Sequence, residues 1–447
     1  MKTNQYVPKY KVGAKDLISE LSKYMLVDGF PICLDLDKSH DGFLFDSKNN
    51  VEYNDFFSCF ASLPLGLNHP KLNNEEFIKY IGKAALNKPS NSDIYTEEMA
   101  TFVKTFFKIA VPEYFKYSFY ICGGALAVEN ALKVAFDWKV RKNMQRGCTR
   151  DLGRQIIHFR EAFHGRTGYT MSLTNTDPTK IDYFPKFDWP RITTPKMTFP
   201  MNEENLEKTI KLEKEAVESI KDAFLENKND IAGIIIEPIQ GEGGDNHFRP
   251  EFLKQLRTLA DENEALLIFD EVQTGLGHTG TWWAHQQLDV IPDLLCFGKK
   301  MQVCGILSTN RVDDIPENVF HTSSRINSTW GGNLVDMVRS TRYLEIIEEE
   351  KVLENVVEQG KYLIQELYNI EKEFPNLISN VRGKGLFCAF DFPNPEKRNK
   401  VRELCFENKL IILPCGDKSL RFRPSLNATR KQLEEGLAIV RDCIKKV

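Results

Sequence analysis

Five short runs of nearly uninterrupted apolar residues recur in this chain: YSFYIC (117–122), QIIHF (155–159), IAGIII (231–236), ALLIF (265–269) and LLCFG (294–298). Strict apolar–polar alternation marks a strand with one wet face, so runs apolar on both faces imply strands covered on both sides. Between them lie stretches of helical period: GGALAVENALKVAFDWKV (123–140), EENLEKTIKLEKEAVESIKDAFLEN (203–227) and PEFLKQLRTLADENE (250–264). Strand and helix in alternation predict an α/β fold, a mostly parallel sheet with helices on both faces.

The flanks read differently. Residues 33–56, CLDLDKSHDGFLFDSKNNVEYNDF, alternate apolar runs with Asp/Gly/Asn turn clusters and predict a small antiparallel meander. After residue 335 come a long helix, strand GLFCAFDF, helix PEKRNKVRELCFEN, strands LIILP and LRFRPS, and a final helix. That helix opens on Thr429 with Gln432 three residues on, a capping box, and carries an apolar stripe of Leu433, Leu437, Val440 and Ile444. The expected organisation is an N-terminal segment, 1–75, packing with a smaller α+β domain, 336–447, around a large domain, 76–335.

Composition narrows the function. With 447 residues, 42% hydrophobic, the chain is long enough for a large core. A net charge of −4 gives no electrostatic case for nucleic acid or an anionic membrane. No apolar run approaches the ~20 residues of a membrane span, and MKTNQYVPKYKVGAKDL lacks the apolar core of a signal peptide. Ten cysteines without C-x-x-C spacing point to a reducing, cytoplasmic setting. The eight histidines show no ligand spacing, so no metal is expected.

Ligands of a parallel α/β sheet bind where strands end and helices begin. After the first run, Gly123, Gly124 and Ala125 open a helix and make a seat for a phosphate, without a dinucleotide fingerprint. After the second, Phe163, His164 and Arg166 sit together in a loop, an aromatic to stack and a guanidinium to grip a carboxylate. Glu237 ends the third run, with Glu242 in the glycine-rich loop beyond it, and Asp270 ends the fourth. Burying such acids is costly unless they meet cations. The fifth run ends in Gly298 and then Lys299 and Lys300, and either amine becomes nucleophilic when desolvated. Phosphate seat, stacking ring, strand-end acid and lysine together fit pyridoxal 5′-phosphate.

FHGRTGY (163–169), EPIQGEGGD (237–245), IFDEVQTGLGHTG (268–280) and FGKK (297–300) resemble, in order along nearly the whole chain, the signature stretches of class III aminotransferases. Within that family NKPSNSDIYT, FPKFDWPRI, GKKMQVCG and NSTWGGN are most similar to the lysine 6-aminotransferase branch. The 4-aminobutyrate aminotransferases share FDWP, EGGDNH and the double lysine. The resemblance implies the fold type I of pyridoxal-phosphate enzymes and a homodimer with shared sites. It implies transfer of the ε-amino group of L-lysine to 2-oxoglutarate.

By position, it assigns Gly124 and Ala125 to the phosphate, Phe163 to the ring face, Asp270 to the ring nitrogen and Gln273 to O3′ and substrate. Thr329 is assigned to the phosphate of the neighbouring subunit, Arg166 to the distal carboxylate and Arg421 to the α-carboxylate. Glu242 is implied to pair with Arg421 and release it for the keto acid. Where many relatives have Ser-Gly-Ser/Thr at the phosphate turn, this chain has Gly123-Gly124-Ala125, which leaves more to backbone N–H groups. The order strand, small residue, lysine selects Lys299 for the covalent link. A loop after it can absorb one inserted residue. In an extended segment, neighbouring side chains diverge, so Lys300 is expected to turn to a salt bridge or solvent.

Overall fold

The structure, a computed structural model, describes residues 6–447. Residues 1–5, part of the opening stretch read above as leaderless, lie outside that range. The central sheet has seven strands in the order Phe115–Ile121, Cys304–Thr309, Leu294–Phe297, Leu266–Asp270, Ile231–Ile236, Gln155–Phe159, Arg191–Ile192. All five expected runs are strands in it. Only Cys304–Thr309 runs antiparallel to its neighbours.

The apolar runs follow from two-sided burial. Along Leu266–Asp270 successive side chains enter opposite cores. Ile268 packs with Ala131, Leu132 and Trp138 of the helix Gly124–Gln145. Leu267 and Phe269 pack with Phe252 and Leu256 of the helix Pro250–Glu262. Each such side chain contributes about 1.5–3 kcal/mol by leaving water.

A second, four-stranded antiparallel sheet is formed by Ser379–Lys384, Phe387–Asp391, Ser419–Phe422 and Leu413–Cys415. The helices Val352–Glu373 and Arg430–Ile444 share its core, and the stripe Leu433, Leu437, Val440 and Ile444 is buried there. The expected meander is only a hairpin, Phe43–Asp46 with Val51–Asp55. Its third strand comes from Leu410–Ile411, which pairs in parallel with Val51–Asp55. The capping box is half formed. Thr429 accepts from the Gln432 N–H at 3.2 Å, but the Gln432 amide donates to the Gly42 carbonyl at 2.9 Å. A tertiary acceptor has displaced the local one. Ser58 Oγ donates to the Arg423 carbonyl at 2.7 Å, a further tie between the two ends of the chain.

Candidate active site

The carboxyl ends of the parallel strands and the start of the helix Gly124–Gln145 meet around a cavity of about 570 Å³. Gly124, Ala125, Phe163, Asp270, Gln273 and Lys299 all line it, with His164, Glu237, Ser62, Gln302 and Cys304 among their neighbours. Gly123, at φ +112°, turns the chain into the helix, and no side chain caps its first N–H groups. Those uncapped donors suit an anion. Gly165 is also required: its φ is +110°, and a Cβ there would lie 2.3 Å from that of Ala125. The loop carrying Phe163 therefore lies directly against the phosphate seat.

Asp270 is buried and held from two sides. Its Oδ2 lies 2.8 Å from Nδ1 of buried His164, and its Oδ1 accepts the Val272 N–H at 3.0 Å. One strand away, buried Glu237 accepts the N–H groups of Phe163 and Gly241, each at 3.0 Å. Burial, with the Asp270 charge adding to it, still pushes the Glu237 carboxyl up to about 7.

The two lysines are separated, though not as an extended segment would separate them. Residues 299–301 form a 3₁₀ turn, and Lys299 has φ +49°. Lys299 reaches the cavity, and burial, helped by Arg421, lowers its amine to about 8 against the pull of Asp270 and Glu237. Lys300 meets neither a salt bridge nor solvent. It is buried and donates to the carbonyls of Gln273 at 2.8 Å and Ala61 at 3.3 Å. Burial lowers its amine well below the usual lysine range, with Lys299 the next cause. The turn is further fixed by the Gln302 side chain, which donates to the Ser62 carbonyl at 2.8 Å.

Beside Phe163 sits a charge cluster. Glu242 accepts from Arg421 Nη2 at 3.0 Å on one oxygen and from Lys180 Nζ at 2.7 Å on the other. Burial pushes its carboxyl up, but the two cations more than offset this and hold it below the usual range. Arg421 is buried, and its Nε–H has no partner among the described residues. Deeper in, Arg423 pairs with Asp245, donates to Gln273 Oε1 at 3.3 Å and lies 3.3 Å over the Phe387 ring.

Two expected residues stand outside this assembly. Arg166 is exposed, and Thr329 is an exposed residue of the loop 327–333, its carbonyl accepting from Ser90 Oγ at 2.6 Å. Neither lines the cavity of its own chain. Sequence reasoning passed over Lys180, Ser62, Gln302 and Cys304. Lys180 ends the Pro178–Lys180 turn capped by Asp177, and that D-P-T-K turn was its only local signal.

The groups present fit pyridoxal 5′-phosphate. A buried, easily deprotonated amine suits an aldehyde, an uncapped helix start suits a phosphate, and an anchored carboxylate suits a pyridinium nitrogen.

Comparison with known proteins agrees with this chemistry. The model of the family "Aminotransferase class-III" matches residues 24–444. The chain is 49% identical to an L-lysine-epsilon aminotransferase of Mycobacterium tuberculosis over 96% of its own length and 95% of the relative's. It is 47% identical to the Streptomyces clavuligerus enzyme of that name, covering 97% and 95%. The human mitochondrial 4-aminobutyrate aminotransferase is more distant, at 31% over 92% and 85%. Among solved structures, a lysine aminotransferase from M. tuberculosis, in its internal aldimine form, superimposes with a TM-score of 0.95 at 48% identity, covering 97% and 100%. An ornithine aminotransferase from Toxoplasma gondii, 22% identical, shares the fold with a TM-score of 0.79 over 98% and 96%. The chain belongs to the class-III aminotransferases and has their fold type I architecture.

Proposed function

We propose that this protein transfers the ε-amino group of L-lysine to 2-oxoglutarate, using pyridoxal 5′-phosphate. The products are 2-aminoadipate 6-semialdehyde, which cyclises to piperideine-6-carboxylate, and L-glutamate. The observation that carries this reading is identity of 47–49% to L-lysine-epsilon aminotransferases along almost the entire chain. The cavity that unites Lys299 with Asp270 supports it.

The cofactor, when bound, supplies an electrophilic carbon for the amine and a ring that takes up the electron pair left on the reacting carbon. Lys299 would be the covalent anchor; once the donor amine displaces it, its freed Nζ, which burial lowers to about 8, can take the proton from the substrate's ε-carbon. Asp270, fixed by His164, would pair with the ring nitrogen and favour its protonated form. Of the residues that line the cavity, Gly124 and Ala125 would hold the phosphate through their N–H groups, Phe163 would pack on the ring, and Gln273 would serve the ring hydroxyl and the substrate. Arg166, exposed and outside the cavity lining in this chain, would receive the carboxylate distant from the reacting centre by turning inward. Arg421, with a free buried donor, receives the α-carboxylate of the keto acid once Glu242 lets it go.

Thr329, exposed on this chain, completes the phosphate site of a second copy, so the working form is a homodimer. The proposed setting is cytoplasmic. No helix among the described residues is long and apolar enough to cross a membrane.

An amine-donor panel with 2-oxoglutarate tests the assignment. Lysine should be the preferred donor over 4-aminobutyrate and ornithine, with glutamate formed one for one. No turnover of lysine would overturn the reading.

A further inference from the structure

Glu242, beside the cavity, is gripped by two cations at once, one on each oxygen. The two differ in kind. Arg421 is 4% exposed and stands on the sheet strand Ser419–Phe422, so it cannot travel. Lys180 is 27% exposed and stands on a capped surface turn, with its Nζ 5.6 Å from the centroid of the Phe163 ring that lines the cavity. A keto diacid brings two carboxylates to a site where the donor brings one. One of them needs Arg421, whose Nε–H is already free. Taking Arg421 from Glu242 would leave a largely buried carboxylate without a counter-charge, which is strongly unfavourable unless another cation remains.

We infer that Lys180 is that cation: it holds Glu242 when a dicarboxylate claims Arg421, and so acts as a positioning residue for the keto-acid half of the reaction. This rests on the transamination proposed above. Glu242 need only give up one oxygen's bond and keep the other. No bond is made or broken covalently, and the diacid brings the cluster to neutrality: two cations and one carboxylate before, two cations and two carboxylates after. With the donor bound, Glu242 keeps both partners and Lys180 is redundant. A lysine suits this better than a second arginine, because a single ammonium on a flexible stem follows a moving carboxylate without a fixed fork geometry.

The test separates the two half-reactions. Enzyme loaded with pyridoxamine phosphate is mixed with 2-oxoglutarate, and enzyme loaded with pyridoxal phosphate is mixed with lysine, each in a single turnover. Lys180→Met should lower kcat/KM for 2-oxoglutarate about tenfold, through KM, and change the lysine half less than about twofold. Lys180→Arg should recover most of the loss. Calorimetric titration with glutarate, an unreactive dicarboxylate, should weaken by the same tenfold factor. In a Glu242→Ala background Lys180→Met should have no further effect, since there is no carboxylate left to hold. Equal losses in both half-reactions, or an unchanged 2-oxoglutarate half, would overturn the inference. So would a full tenfold loss that persists without Glu242, which would mean that Lys180 grips the diacid itself. The 2-oxoglutarate half is read without any amine donor, so failure of lysine as donor leaves this outcome intact.

Discussion

Nδ1 of His164 and Oδ2 of Asp270 are 2.8 Å apart, both side chains being buried at the wall of the cavity. Two residues 106 positions apart thus hold one carboxylate in one orientation. Asp270→Asn keeps the shape and removes the charge. Turnover should fall about 10²–10³-fold, the scale for loss of one preorganised electrostatic partner, while the cofactor still binds. Cofactor absorbance and steady-state rate, measured on the same sample, check both halves of that expectation.

Loading with pyridoxal phosphate, borohydride reduction and peptide mapping should place the label on Lys299. Lys299→Ala should abolish both label and turnover, and Lys300→Met should keep the label. Because the Lys299 amine titrates at about 8, rather than near the ~10.4 of a free lysine, labelling of the cofactor-free protein should rise with pH and level off just above 8. A label on Lys300 would reverse the assignment.

Glu237 makes stability depend on pH. Its carboxyl titrates at about 7 in the fold and near ~4.3 when unfolded, so between these values the folded chain binds more protons. Stability should therefore fall as pH rises from about 4.5 through 7, and the full cost, on the order of 3–4 kcal/mol, is reached by about pH 8. Glu237→Gln should flatten that slope, because the amide is neutral throughout and keeps an acceptor for the Phe163 or Gly241 N–H. Denaturant midpoints at pH 5 and pH 8 for both proteins give the comparison. Parallel slopes would argue that the group is ionised in the fold.

Gly165→Ala should harm cofactor retention more than its size suggests. A methyl group at φ +110° is strained in itself, and this one would sit 2.3 Å from Ala125 Cβ. The loop must then lift from the helix start. A loss of more than ~1 kcal/mol in stability is expected, with weaker pyridoxal phosphate binding by fluorescence titration. Gly147→Ala, also at positive φ but with open space around it, serves as the control.

Local chemistry was largely legible in the sequence. Strands buried on both faces announce themselves as apolar runs, and their ends pointed to Asp270, Glu237 and Lys299. The strand Cys304–Thr309 escaped notice because it is framed by Cys-Gly and Ser-Thr, with only Ile306 and Leu307 as a run. Apart from the Glu242–Arg421 pair, which the resemblance implied, what stayed hidden was pairing over distance. Lys180 meets Glu242 across 62 residues and Arg423 meets Asp245 across 178. Neither pair leaves a periodic trace, because an ion pair constrains two points in space and nothing between them. Lys300 was misjudged for a related reason. Its partners are main-chain carbonyls, which every residue carries, so no side-chain pattern can betray them.

The connection between strands Leu294–Phe297 and Cys304–Thr309 has one more implication. The register pairs Phe297 with Gly305, and the turn between them is closed by Met301 N–H to the Gly298 carbonyl and Gln302 N–H to that of Lys299. There is no slack to take up an added or missing residue, contrary to what a free loop would allow. Removing Lys300 outright, unlike replacing it, would slide the returning strand by one position. Every side chain from Cys304 to Thr309 would then exchange faces of the sheet. The second lysine is thus also a spacer. Its amine ties down the Gln273 and Ala61 carbonyls, and its place in the count sets the register of the strand that follows.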